Sequence, residues 1–441
     1  MKIVFCLHHF LPQFVAGTEI YTLRLAQQLR YREMEIAVLI PHFDCSFTDE
    51  YEWEGIRVIR YAENSIDGRK MIMGKEKPGG LTAFEDVLMV EKPDIIHFHE
   101  LAPGRGFNIY HVQKAHELAI SIVLTFHLPG YSCARGSLIY KNVTQCDGII
   151  RIKRCTECVY QSKNLTGIKA KILSAAARIL FNAGLNATTL NSTVGTALGF
   201  PFIINKIKKD LLKLSELAER IVVLGEWYKG ILEKNGVPLA KLILIKQGLS
   251  SDIQEFSNRS KFSFPLQIVF IGRISVLKGL HLLIDAVCRL PEEKIALHIY
   301  GPETEDGYAT RCKEKSKQKK NIWWGGTISS ENVIATLSKY HVLCLPSTFS
   351  EMSPLVILEA FAAGIPVIAS DVYGNAEQIT HGKNGWLFQL NDSNDLKNKL
   401  QQLINDPGMI ERSRECIKPV KTFASVAEEY EELYTEISEN K

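Results

Sequence analysis

Glu351-Met-Ser-Pro-Leu-Val-Ile-Leu-Glu359, running straight into Ala360-Phe-Ala-Ala-Gly364-Ile-Pro366-Val-Ile-Ala369, decides how this chain is read. The apolar run Val342-Leu-Cys-Leu345 precedes it and is closed by Pro346, which predicts a buried strand entering a loop. Ser353 is a helix-capping residue type, and Pro354 suits a first helical turn. Gly364 and Pro366 then stop the helix. A short helix therefore begins at a strand's carboxyl end. Its first N–H groups and its dipole favour an anion there. Glu351 precedes the cap and Glu359 lies inside the helix. Carboxylates accept hydrogen bonds and repel phosphate, so this pair suits hydroxyl groups beside a phosphate site.

A second signal lies upstream, in Gly272-Arg273-Ile-Ser-Val-Leu-Lys278-Gly279. It follows the apolar run Gln267 to Ile271, so Arg273 and Lys278 also fall at a strand's carboxyl end. Two fixed cations and free N–H donors stabilise charge that develops on a departing diphosphate. That arrangement needs no metal, and the chain contains no Asp-x-Asp motif.

Working outward, short apolar runs alternate with helical patterns. Ile3 to Leu7, Ile36 to Ile40, Ile95 to Phe98, Ile122 to Phe126, Ile221 to Leu224 and Leu242 to Ile245 are predicted strands of the first half. Gln267 to Ile271, Ile295 to Tyr300, Ile322 to Trp324, Val342 to Leu345 and Val367 to Ala369 form a second series. Such alternation predicts parallel sheets with helices on both faces. Two series in 441 residues predict two doubly wound domains, 1–250 and 251–420. The polar stretch Leu249 to Lys261 joins them, and a helical segment, 421–441, packs back on the first. Met1 to Leu7 reads as a first strand rather than a leader, because its apolar run is short and His8 and His9 follow.

At this point the chain resembles the retaining glycosyltransferases of family 4, which have the GT-B fold of two Rossmann-like domains facing across a cleft. Gly272-Arg273 with Lys278-Gly279, the Glu-x7-Glu segment, Gly364-x-Pro366-Val, Glu377 and Asn384-Gly385 carry the resemblance in the second half. Ala16-Gly-Thr-Glu19, Lys92-Pro-Asp-Ile-Ile-His-Phe-His99, Thr125-Phe-His127 and Ala427-Glu-Glu-Tyr-Glu-Glu-Leu-Tyr434 extend it over the rest. It implies transfer of a sugar from a nucleoside-diphosphate sugar, with a UDP or GDP base, to a glycan or lipid-linked glycan acceptor. It also implies residue roles. Arg273 and Lys278 would hold the diphosphate with Gly272 and the N–H groups of Leu355 and Val356. Glu351 would take sugar hydroxyls and Glu359 the ribose. The turn Gly326-Thr-Ile328 would lie near the base. His127 would face the donor sugar or the acceptor, and Gly17 would approach the donor. Two positions depart from the family pattern: Ala16 stands where the family usually has Gly, and Met352 follows Glu351 where Gly is common. A sugar-nucleotide epimerase on the same architecture and a silent nucleotide-sugar-binding subunit are the alternatives.

Composition bounds the rest. A net charge of +3 argues against nucleic-acid binding, and no apolar run is long enough to span a bilayer. The charge is uneven, however. Residues 151–214 carry eleven Lys or Arg against Glu157 and Asp210. Ile168, Ile172, Ala176, Ile179 and Leu180 recur there at helical spacing. This basic helical insertion is either a solvated face or a docking face for an anionic membrane, placing the protein in the cytoplasm or at the membrane's inner face. Ten cysteines without a leader indicate a reducing compartment. Cys133, Cys146, Cys155 and Cys158 have the spacing C-x12-C-x8-C-x2-C, which suits a structural Zn2+; the catalytic chemistry itself calls for no cofactor. His97 and His99 share one strand face and are assigned to packing and hydrogen bonding.

Overall fold

The computed structural model describes residues 1–64, 68–104, 106–190, 192–250 and 262–440. The chain divides into two units, one of Met1–Asn142, Cys146–Lys246 and Phe423–Lys441, the other of Val143–Gln145 and Gln247–Thr422. Most of the predicted linker, residues 251–261, lies outside the described residues.

The first unit holds strands β1 (Lys2–Cys6), β2 (Glu35–Phe43), β3 (Asp49–Trp53), β4 (Ile56–Glu63), β5 (Ile95–Phe98), β6 (Ser121–Phe126), β7 (Arg220–Val223) and β8 (Leu242–Leu244). They are ordered β8-β7-β6-β5-β1-β2-β4-β3, and every pair is parallel except β3 with β4. Chain order reverses between β1 and β5, so the loops leaving these two strands diverge and open a crevice at their carboxyl ends. Helix α1 (Gly17–Tyr31) starts beyond β1. The hairpin β3–β4 is absent from the sequence-based expectation. Its edge strand, Asp-Glu-Tyr-Glu-Trp, is too charged to register as an apolar run, and charge is what protects an exposed edge.

Three helices fill the basic insertion: α2 (Ile152–Ser162), α3 (Gly167–Asn182) and α4 (Thr193–Leu217).

The second unit is a parallel sheet of β9 (Leu266–Ile271), β10 (Ile295–Tyr300), β11 (Ile322–Trp324), β12 (Val342–Leu345), β13 (Val367–Ser370) and β14 (Gly385–Phe388), ordered β11-β10-β9-β12-β13-β14. Its reversal falls between β9 and β12, the two strands whose loops carry the Arg273–Lys278 and Glu351–Glu359 motifs. Helix α5 (Leu280–Cys288) follows β9, and α6 (Leu355–Ala362) follows β12. The sequence reading missed β14, whose Gly385 and Trp386 break a Val/Ile pattern. The cap of α6 is a correction. Pro354, not Ser353, is the N-cap, in extended conformation and without a side-chain bond, because its ring carries no acceptor for the first helical N–H groups.

Helix α7 (Phe423–Glu439) returns to the first unit. Phe423, Val426, Ala427, Tyr430, Leu433, Tyr434 and Ile437 join the core formed by β1, β2 and α1. Each fully buried large side chain of this kind contributes about 1.5–3 kcal/mol. Tyr430 and Tyr434 also carry hydroxyls into that core, where each has a partner. Tyr21 Oη donates to Tyr430 Oη (3.0 Å), which meets Thr125 Oγ1 (3.2 Å). His97 bridges Thr125 Oγ1 (2.7 Å) and Tyr434 Oη (2.6 Å), the packing role predicted for it.

Candidate active site

The site in the second unit is assembled by close backbone approach. Gly279 has φ +68, and a Cβ there would stand 1.8 Å from Pro346 O, so only glycine lets the β9 loop pass over the end of β12. Thr348 N donates to Leu277 O (2.8 Å) and its hydroxyl to Val276 O (3.1 Å), tying the two loops together. This stitching brings Lys278 Nζ to 2.6 Å from Glu351 Oε1. Ser347 Oγ donates to the same oxygen at 2.6 Å. Both members of the ion pair are largely withdrawn from water, with side chains 17% and 8% exposed. Lys278 also lies over the Phe349 ring at 5.5 Å.

Arg273 behaves differently. It is exposed, and among the described residues it makes no side-chain hydrogen bond or ion pair. One predicted diphosphate cation is thus held in advance and the other is uncommitted. Gly272 directly follows β9, and Gly272 N donates to Tyr300 O (3.1 Å). The Leu355 and Val356 N–H groups precede the first bond of α6, from Ile357 N to Pro354 O (3.2 Å). They are the free donors that a helix N-terminus offers to an anion.

Glu359 sits one turn farther along α6. Part of its surface reaches solvent, yet enough protein surrounds the carboxyl for burial to push it up to about 7. Among the described residues no side chain bonds it. A carboxyl desolvated without a partner suits a ligand that supplies hydroxyl donors. Gly326 (φ +72) makes the turn after β11 and accepts from Gly301 N (2.8 Å), and Ile328 lies two residues on, half-buried.

Sequence reasoning did not single out two supports. Ser347 reaches Glu351, while Ser370 Oγ donates to Ser347 O (2.7 Å) and Asn375 Nδ2 to Ser370 O (3.0 Å). Gly374 faces Glu351 O, which a Cβ would meet at 2.2 Å. Isolated serines and a lone glycine carry no local signal, so only the fold reveals them.

In the first unit His127 directly follows β6, buried, with Nε2 3.4 Å from His99 Nδ1 and Tyr21 at a ring distance of 5.0 Å. Burial lowers His127 to about 3, so it is neutral near pH 7. Gly17 opens α1, and a Cβ there would meet no atom within 4 Å, so Gly17 presents open backbone at the helix N-terminus.

Cys133, Cys146, Cys155 and Cys158 are free thiols that line one cavity of about 30 Å³. Cys158 Sγ accepts from Arg135 Nη1 and Lys141 N, both at 3.3 Å. Among the described residues no three Cys, His, Asp or Glu side chains stand in ready metal-binding geometry.

Residues 252–422 match the family described as glycosyl transferases group 1. The chain is 27% identical over 230 residues to the putative colanic acid biosynthesis glycosyltransferase WcaL of Escherichia coli K12, covering 49% of this chain and 56% of that protein. It is 26% identical over 187 residues to the glycogen synthase of Mycobacterium tuberculosis, covering 41% and 44%. The chain thus spans about half the length of these curated relatives. In fold it is similar over its whole length to sucrose-phosphate synthase from Thermosynechococcus elongatus, with a TM-score of 0.67 at 18% identity and 100% coverage of both chains. It is likewise similar to Anabaena HepE solved with UDP and glucose, with a TM-score of 0.62 at 14% identity and 99% coverage of both. These likenesses give the fold class, GT-B, with its two Rossmann-like units.

Proposed function

We propose, from the match of residues 252–422 to the glycosyl transferases group 1 family and from the GT-B fold, that the protein transfers a sugar from a nucleoside-diphosphate sugar to a hydroxyl acceptor with retention of anomeric configuration. The observation that carries this reading is the buried Lys278–Glu351 pair at the β9/β12 reversal, with the Glu359 carboxyl, unpartnered among the described residues, and the α6 N-terminus in the same loop system.

In this reading Lys278, Arg273 and the Leu355 and Val356 N–H groups receive the diphosphate. Glu351 takes sugar hydroxyls and Glu359 the ribose. The acceptor oxygen bonds to the anomeric carbon as that carbon's bond to the diphosphate oxygen breaks. The electron pair leaves on the diphosphate, which takes up the acceptor's proton. A cation already fixed where this charge develops, Lys278, lowers the barrier. His127, being neutral, serves as a hydrogen-bond partner rather than a charge. The acceptor is a glycan or a lipid-linked glycan, and the protein works at a membrane face. Relatives named for colanic acid and glycogen synthesis support the glycan class.

The test is transfer of radiolabelled sugar from UDP-, GDP- and dTDP-sugars to lipid-extracted and aqueous glycan acceptors. Donor-dependent product with the donor's anomeric configuration supports the reading. An inverted product removes retention. No nucleoside diphosphate release and no thermal shift with any donor removes the function.

A further inference from the structure

Helix α3 packs one face against its neighbours and leaves the other uncovered. Of its sixteen residues, Ala177 is the buried one. At about 100° per residue, Ala177 lies on the face opposite Ile168, Ile172 and Ile179, which fall within about 40° of one another. That stripe therefore points to solvent, and the three isoleucines are 76%, 65% and 67% exposed. Lys169 flanks it on one side, and Lys171 and Arg178 flank it on the other.

The flanking cations have a second feature in common. A cavity of about 570 Å³ between α2 and α3 is lined by Lys141, Lys153, Lys171 and Arg178. Among the described residues Glu157 is the only acid on its wall, and Lys141 pairs with it at 3.8 Å. Among the described residues Lys153, Lys171 and Arg178 have no ion-pair partner. From Cys158 to Lys209 the sequence contains no Asp or Glu at all.

We propose that α3 lies in the interface of a bilayer containing anionic phospholipid, its isoleucine stripe among the acyl chains and a lipid headgroup phosphate in the Lys153–Lys171–Arg178 cavity. An exposed apolar stripe bordered by cations is the pattern of helices that lie in a membrane surface. Long basic side chains bordering the stripe reach headgroups while their stems stay in the apolar layer. A protein partner covering the stripe would also have to cover Lys169 and Lys171 at its borders, and protein interfaces are depleted of lysine. No helix among the described residues is long and apolar enough to cross a membrane, so this face would attach without spanning. The proposal stands apart from the transfer reaction and does not rest on it.

The experiment is flotation of the full chain with phosphatidylcholine vesicles, with and without phosphatidylglycerol, at low and high salt. Binding to the phosphatidylglycerol vesicles that weakens as salt rises is expected. Ile168→Ser/Ile172→Ser/Ile179→Ser and, separately, Lys171→Glu/Arg178→Glu should each reduce binding about tenfold or more. Circular dichroism and melting of both variants should be unchanged, because these side chains are exposed. Donor hydrolysis without vesicles should also be unchanged, which separates failure here from failure of the transfer reading. Equal binding to neutral vesicles, no binding to anionic ones, or an oligomer in solution that the isoleucine variant dissolves would each overturn the proposal.

Discussion

Lys278 Nζ and Glu351 Oε1 stand 2.6 Å apart across 73 residues of sequence. The cation proposed to hold the diphosphate is neutralised here by the carboxylate proposed to hold the sugar. A donor must therefore enter a site whose two key charges already fix each other's position. The pair keeps both side chains in place, and the donor's diphosphate has to compete with Glu351 for Lys278.

Lys278→Ala should lower transfer about 10²- to 10³-fold, the usual cost of one leaving-group stabiliser. It should also destabilise the fold, because a buried carboxylate losing its partner costs about 3–5 kcal/mol. Glu351 keeps the Ser347 hydroxyl, so the loss should fall at the low end. Arg273→Ala should cost similar activity with no loss of stability, since Arg273 is exposed and unpaired among the described residues. Steady-state kinetics with melting curves on both variants separates the two cases. Equal melting losses would contradict the asymmetry.

Glu359 gives a pH dependence. Its folded value, about 7, is raised above the usual carboxylate range, so the folded protein holds this proton more tightly than the unfolded chain. Stability from this group is complete at low pH and is lost as pH rises from about 4.5 to 7. Glu359→Gln removes the penalty. The variant should gain on the wild type as pH rises from 5 to 8, by about 1–2 kcal/mol once solvent screening is allowed for. Chemical denaturation at the two pH values checks this. Calorimetry with nucleoside diphosphate should show weaker binding in the variant, and Glu351→Gln should lose transfer more than nucleotide affinity.

The buried histidines set the opposite slope in the first unit. Burial lowers His127 to about 3 and His97 well below its ordinary value. The unfolded chain takes up these protons near 6.5 and the folded unit does not. Stability should therefore fall progressively below about pH 6.5, down to about 3. His97→Gln should flatten that slope, but it loses the Tyr434 and Thr125 bonds at a cost of about 1–3 kcal/mol. Denaturation midpoints against pH for both proteins test the assignment.

The four cysteines give a decisive measurement. We predict one zinc per chain, with Cys133, Cys146, Cys155 and Cys158 turning their sulfurs into the cavity they already share. Arg135 and Arg154 on the cavity wall would offset the charge of the four-thiolate site. Elemental analysis should return zinc in the wild type and none in Cys155→Ser/Cys158→Ser. Metal-free protein with four freely titratable thiols, or with disulfides, would end the idea.

Much of this protein was legible without coordinates. Val342–Leu345, Ile295–Tyr300 and Ile322–Trp324 are strands at the predicted residues; for the first two the reason is burial, since a buried parallel strand must be an apolar run. The helix between Pro354 and Gly364 was equally readable, since proline and glycine act locally on backbone geometry. The hairpin β3–β4 was not, because an edge strand is specified by its neighbour and tolerates charge. The pairing of Lys278 with Glu351, the bracing by Ser347 and the fit of Gly374 against Glu351 were beyond any local pattern. They arise where chain order reverses between β9 and β12, which brings loops distant in sequence side by side. The sequence by itself determined the residue types, the strands and the helix that could serve an anion. Only the tertiary structure decided which charges meet, because ion pairing and desolvation depend on distance in space, and strand order sets that distance.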